Sequence, residues 1–307
     1  MIRYVDAYRD QLGVEQICRV LARTEGGFVT SRGYRAAKSR VPSNPAIRDQ
    51  VLGDELERLH ADNYGVYGVR KMHHLMRRQG WLVGRDQVAR VMKTRGITGV
   101  RRGRTAFTTR TKESDTYPAD KVNRQFVASR PCQLWVADIT YVATWAGMAY
   151  VAFVTDVFSR KIVGWSVSAT LRTDMLPLQA LNMAAWHVDD DLHGLVHHSD
   201  RGSNYVSLAY TDRIIELGGT PSVGSKGDSY DNALAESQFA LSKTKLIKKQ
   251  HSWRTIEEVE LATLEWVWWF NNQRLHSELD YRTPAEVEAA YYAGTSPVLA
   301  AATHGKP

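Results

Sequence analysis

The chain has 307 residues and a formal net charge of +7, with 40 Lys and Arg against 33 Asp and Glu. That length suits about two domains, each with its own core, and 43% apolar with 24% charged residues is ordinary globular composition. No run of about 18 uncharged apolar residues and no apolar signal core in MIRYVDAYRD is present, and Cys18 and Cys132 lie far apart, so the composition excludes a membrane-spanning helix, a disulfide scaffold and a CxxC zinc site and fits a reducing cytoplasm.

In chain order, residues 3–22 place Val5, Tyr8, Leu12, Val14, Ile17, Cys18 and Leu21 at helical spacing, with a break at Gly13. SRGYRAAK predicts a third short helix, SRVPSNPA (39–46) a linker with two prolines, and residues 47–62 a further helix. Next, Val69, Met72, Leu75 and Met76 form one apolar stripe and Val88, Val91 and Met92 another, separated by QGWLVG. Two short helices, a glycine-containing joint and a basic second helix make a helix-turn-helix candidate. Its candidate DNA contacts are Arg70, Lys71, Arg85, Arg90 and Lys93, followed by Arg101, Arg102 and Arg104 in a basic linker that could track phosphates.

The charge is strongly segregated. Up to Arg130 there are 26 basic and 13 acidic residues, and beyond it 14 and 20. A basic N-terminal half on a mildly acidic C-terminal half points to a polyanion-binding module joined to something else, with a solvated basic face as the plainer alternative. No basic stretch carries the strong apolar face that membrane-surface binding requires.

From Leu134 the period changes. LWVADITYVAT, MAYVAFVTDVF and KIVGWSVSA are rich in β-branched and aromatic residues and predict three strands in an antiparallel meander. A helix over 176–186, a strand at LVHHSD, a helix over 206–217, a strand at PSV and a long helix over 231–248 complete a β-β-β-α-β-α-β-α order, a mixed α/β layout. A last amphipathic helix over 256–271 carries a tryptophan cluster that reads as core packing.

Three carboxylates stand out. Asp138 lies inside a strand, where a buried charge needs a partner or a metal. Asp200 ends a strand, where ligands collect in open α/β sheets, and Glu236 lies on the long helix. The intervals are 61 and 35 residues. Hard carboxylate oxygens suit Mg²⁺ or Mn²⁺, and two such ions support in-line phosphoryl displacement. Lys243, two helical turns beyond Glu236, could meet a DNA phosphate. Taken singly, each acid has a plainer reading: an edge-strand charge, a turn or helix cap, and a solvated helix residue. The His197–His198 pair reads as structural.

The segments WVADITYV, VTDVFSRKIVGW, HHSDRGSNY, KGDSYDNALAES and WFNNQRLHSELDYRTPAEVE, with LGVEQICRVL and GVYGVRKMHHLMRRQG before them, resemble the orfB-type integrase-core proteins of insertion sequence three family transposases. The resemblance spans nearly the whole chain. It implies a ribonuclease H-like core, a mixed five-stranded sheet with flanking helices, preceded by an all-α helix-turn-helix region. By position the triad is Asp138, Asp200 and Glu236, as catalytic and metal-holding residues for two Mg²⁺ or Mn²⁺ ions. Lys243 is the basic residue that follows it. Ser199, Gly202, Tyr205, Asp231, Asn232 and Ser237 fall in the surrounding motifs as supporting residues. The chain departs from the family in reading KTKLI, with Lys245, where KTELI is frequent, and SRGYRAAK where an STYY-like start is usual.

The implied organisation is an N-terminal helical segment (1–42), a helix-turn-helix region (43–102), a basic linker (103–130), the catalytic core (131–250) and a C-terminal helical extension (251–307). The implied activity is a DNA transposase: cleavage of one strand at the element end, then 3′-hydroxyl strand transfer, by a copying route through a circularised element. The expected partners are double-stranded DNA (terminal inverted repeats and target), an upstream orfA-type protein or its frameshift fusion, and further copies of the chain on DNA. The rival readings are a catalytically silent DNA-binding regulator and a stand-alone ribonuclease H-like nuclease.

Overall fold

The computed structural model describes residues 1–24, 29–100, 118–122, 125–200, 205, 207–224 and 253–294. They fall into two compact units: one of residues 1–59 with 89–97, the other of 60–88 with the described residues from 98 onward.

The first unit begins with α1 (Ile2–Leu12), α2 (Val14–Leu21) and α3 (Ser31–Ser39). Gly13, at φ 75°, separates α1 from α2 as the spacing predicts. Val5, Ile17, Cys18 and Tyr34 form a small shared core. The Tyr34 hydroxyl donates to Asp6 Oδ1 at 2.7 Å, and the Thr30 side chain caps α3 by accepting from Gly33 N at 3.0 Å. Helix α4 (Asn44–Asp62) starts inside the predicted proline linker. The reason is that proline lacks an N–H that the first helical turn would leave unpaired in any case, so Pro45 sits there without cost.

Helices α5 (Val69–Arg78) and α6 (Arg85–Thr94) occupy the two predicted stripes. Met72, Met76, Val83, Val88, Val91 and Met92 are buried. The joint turns at Gly80, φ 86°.

The second unit is built on a five-stranded sheet in the order β3-β2-β1-β4-β5. Strands β1 (Leu134–Thr144), β2 (Gly147–Asp156) and β3 (Ile162–Ser168) form the antiparallel meander. Helix α7 (Pro177–Trp186) leads to β4 (Val196–Ser199), and α8 (Leu208–Glu216) leads to β5 (Thr220–Val223). Each of these last strands runs parallel to its inner neighbour, as a helical crossover requires. The strand at PSV extends one residue earlier than its sequence signal, and the predicted helix over 231–248 lies outside the described residues.

Alternate residues of the central strands serve opposite faces. Trp135, Ala137, Ala152 and Val154 pack with Leu176, Ala180, Leu181 and Ala184 of the α7 side. Helix α7 approaches so closely that a Cβ on Gly164 would stand 2.1 Å from the Ala180 carbonyl oxygen. On the other face Phe153 meets Trp266, ring centroids 5.5 Å apart, from α9 (Ile256–Asn272), which precedes α10 (Pro284–Tyr292). Trp266 and Trp269 are buried and Trp268 is exposed, so two of the cluster do pack in the core.

Helix α5 belongs to this second unit. The His74 ring stacks on Tyr281 at 3.5 Å and 10°, Arg78 pairs with Glu286, and Trp269 Nε1 donates to Asn63 Oδ1 at 3.2 Å. The Tyr67 hydroxyl accepts from Leu275 N at 2.7 Å.

Candidate active site

Parallel pairing of β1 with β4 sets Ala137 opposite Ser199. Asp138 and Asp200 are the next residues on those two chains, so the sheet itself brings two of the three predicted acids side by side. Asp138 is half-buried, level with Phe153 of β2, and Asp200 is exposed just past the end of β4. The Ile139 N–H donates to Asp138 Oδ1 at 2.8 Å. Strand β1 continues seven residues past the register of Ala137, to Thr144, whereas β4 stops at Ser199. The pair therefore sits where a parallel strand ends beside a longer one, a position open to ligands in α/β sheets.

Two phenols sense this negative pair. Tyr141, half-exposed on β1, has its pKa raised by burial first, then by the charges of Asp200 and Asp138. Tyr205 is buried at 4% exposure. Its pKa is pushed well up by burial, then Tyr210, then Asp138 and Asp200. Its hydroxyl has no hydrogen-bond partner among the described residues.

The flanking histidines are built into the packing. The Tyr210 hydroxyl lies 3.1 Å from His197 Nε2, and burial drives His197 down to about 3, so it stays neutral at physiological pH. His198 Nδ1 lies 3.0 Å from the Ser222 hydroxyl, which also accepts from Lys121 N at 2.9 Å.

Sequence reading passed over one carboxylate. Asp156, 1% exposed, accepts from both the N–H and hydroxyl of Ser159 at 2.8 Å each, and from Cys132 N at 2.9 Å. Burial raises its pKa in spite of these bonds. It pins the turn after β2 and the start of β1. The Asp-x-x-Ser spacing before a tight turn is the local signal that could have found it.

Ser199 is buried at the end of β4. Arg70 and Arg85 are exposed, and Arg85 pairs with Asp86 at 3.2 Å. The Lys71 ammonium lies 5.4 Å from the Tyr67 ring centroid. Arg90 makes a two-pronged pair with Asp49 at 2.7 and 2.8 Å, which draws its guanidinium onto α4, and Lys93 is exposed. Glu236, Lys243, Gly202, Asp231, Asn232, Ser237, Arg101, Arg102 and Arg104 lie outside the described residues. Among the described residues no group of three His, Cys, Asp or Glu side chains gathers as a metal site.

The family model described as Integrase core domain matches residues 128–229, a second model of that description matches 217–284, and an HTH-like domain matches 46–105. The transposase for insertion sequence element IS629 of Shigella sonnei is 47% identical over 95% of this chain and 97% of its own length. The chain belongs to the integrase-core family of insertion-sequence transposases. The putative transposase for IS986/IS6110 of Mycobacterium tuberculosis is also similar, 48% identical over 83% of this chain and 93% of its own. Among solved structures, the HTLV-2 integrase catalytic core domain in complex with magnesium is 13% identical, with a TM-score of 0.39, over 52% of this chain and 97% of that one. The family models and the observed five-stranded mixed sheet with flanking helices give this transposase the expected ribonuclease H-like integrase core with a helical region before it. The matched transposases give its function as that of a DNA transposase. Among the described residues no helix is long and apolar enough to cross a membrane.

Proposed function

We propose that this transposase cleaves and joins DNA strands with Asp138, Asp200 and Glu236 as its acidic triad. The observation that carries the reading is the register of β1 with β4, which pairs Ala137 with Ser199 and so makes Asp138 and Asp200 the next residues on two adjacent parallel chains. Two adjacent carboxylates are a hard-oxygen donor set of the kind Mg²⁺ and Mn²⁺ prefer, and Glu236 is the third donor. Bound divalent ions supply Lewis-acid stabilisation of charge on the attacking and leaving oxygens.

The protein's own groups do the positioning. The Ile139 N–H donates to Asp138 Oδ1 and fixes the orientation of that carboxylate. Lys243 pairs with a backbone phosphate. In the first step, water attacks the phosphodiester at the element end, and the P–O bond to the 3′-oxygen breaks, leaving a free 3′-hydroxyl. In the second, that hydroxyl attacks another phosphodiester in line; one P–O bond forms as another breaks, and the displaced strand leaves with the proton count balanced by solvent.

The helix-turn-helix region (43–102) and basic linker (103–130), with Arg70, Lys71, Arg85, Lys93, Arg101, Arg102 and Arg104, hold the terminal repeats, and the core (131–250) does the chemistry. Arg90 contributes by fixing α6 to α4. An upstream orfA-type partner or fusion and assembly of several copies on DNA complete the active species. The test is nicking and strand transfer on terminal-repeat DNA with Mn²⁺. Asp200→Ala abolishes both products while DNA binding stays; unchanged joining by this variant would refute the triad.

A further inference from the structure

The β1–β2 hairpin runs past the end of β4 and carries an unusual surface. Tyr141 and Tyr150 face each other across the two strands, their rings edge to face at 5.4 Å and 78°. Tyr141 is 51% exposed, and at the tip Met148 is 42% and Trp145 70% exposed. A lone exposed aromatic is ordinary, but three large apolar side chains at one hairpin tip are not. The Arg254 guanidinium lies over the Trp145 ring at 5.6 Å, and the hairpin is tied to this segment by Trp145 N and Ala146 N, which donate to the carbonyls of Trp253 and Arg254. Tyr141 follows Asp138 by three residues on β1, about 10 Å along the strand, so the hairpin surface rises from the strand that carries the acid.

We propose that this hairpin tip is a nucleotide-binding platform beside the acidic pair, on which bases of an unpaired DNA strand stack on Tyr141 and Trp145 while Arg254 meets a phosphate. Aromatic rings joined with a cation are the composition that holds single strands, since every base offers a π-face and every linkage a negative charge. Cutting one strand at an element end frees a terminus at the acids, and the hairpin extends from the strand that carries Asp138. The inference rests on the assignment of Asp138 and Asp200, and it extends that assignment to a contact that selects strand state rather than sequence.

The test is photocrosslinking of the full chain to a single-stranded oligonucleotide of mixed sequence carrying 5-iododeoxyuridine, which joins covalently to rings that stack on it. Adducts located by mass spectrometry on Tyr141 or Trp145 are expected. Tyr141→Ala with Trp145→Ala removes them and weakens single-strand binding about tenfold, a typical loss for a stacking contact, whereas Tyr141→Phe, which keeps the ring, binds within about twofold of the parent. Adducts confined to other residues, or undiminished single-strand binding by the double alanine variant, would overturn the proposal. Failure of the triad reading is a different result: nicking by Asp200→Ala unchanged, with crosslinks to Tyr141 intact.

Discussion

The side-chain amide of Asn271 makes both of its hydrogen bonds to one residue of the edge strand: its Oδ1 accepts from Ile162 N and its Nδ2 donates to Ile162 O, each at 2.9 Å. This pairing replaces the missing neighbour strand at that point of β3 and fastens α9 to the sheet. Asn271→Ala would leave a buried N–H and a buried carbonyl unpaired, costing about 1–3 kcal/mol. Urea unfolding followed by circular dichroism measures it, and a loss well below that range would mean water takes over both bonds.

Gly164 is the closest approach of α7 to the sheet. An alanine there meets the Ala180 carbonyl oxygen at 2.1 Å and the Ala184 side chain at 2.9 Å. Backbone atoms yield little, so Gly164→Ala should destabilise by about 1–3 kcal/mol, as overpacking does. The thermal midpoint should drop accordingly; an unchanged midpoint would show that the helix slides freely.

Burial holds His197 at about 3, with the charge of His198 as a lesser cause, against about 6.5 in an unfolded chain. A depressed histidine binds fewer protons folded than unfolded at intermediate pH. Its contribution to stability is therefore complete above about pH 6.5 and falls as pH drops from there toward 3, by up to about 1.4 kcal/mol per pH unit. His276 is lowered too, by burial first and then by nearby cations, and adds a slope of the same sign. Unfolding free energy from pH 7 down to 4 should fall less steeply in His197→Gln than in the parent. Parallel curves would assign the slope to other groups.

The stack of His74 on Tyr281 joins α5 to the chain just before α10. Tyr281→Ala should loosen α5 by about 1 kcal/mol, the scale of an aromatic pair. Amide hydrogen exchange over residues 69–78 should accelerate while the strand amides of β1 keep their protection. Equal acceleration in both would make the effect global.

Chelation separates chemistry from binding. With EDTA in place of Mn²⁺, strand cleavage should cease, while gel-shift binding to terminal-repeat DNA persists and weakens steeply with salt, as phosphate contacts do. Cleavage that survives chelation would contradict a carboxylate-held ion.

Much of the fold was legible in local pattern. The run LWVADITYVAT became β1 over the residues that its β-branched and aromatic content marked, and the breaks at Gly13 and at the α5–α6 joint fell where glycine permits a positive φ. Strand and helix periods are properties of neighbouring residues, so a single sequence carries them. Helix α4 starts earlier than its pattern predicts because proline breaks a helix interior but suits its first turn.

The sequence by itself determined the order of the described elements, the basic N-terminal half and the presence of three acids in motifs of an insertion-sequence transposase. Only the tertiary structure decided that Asp138 and Asp200 stand level, because a parallel pair is closed by a crossover through α7 and its register has no local signature. The same holds for the stack of His74 on Tyr281 and for the aromatic tip of the β1–β2 hairpin. Contacts between residues far apart in the chain are set by how faces bury against one another, and that is a property of the packed whole rather than of any window of sequence.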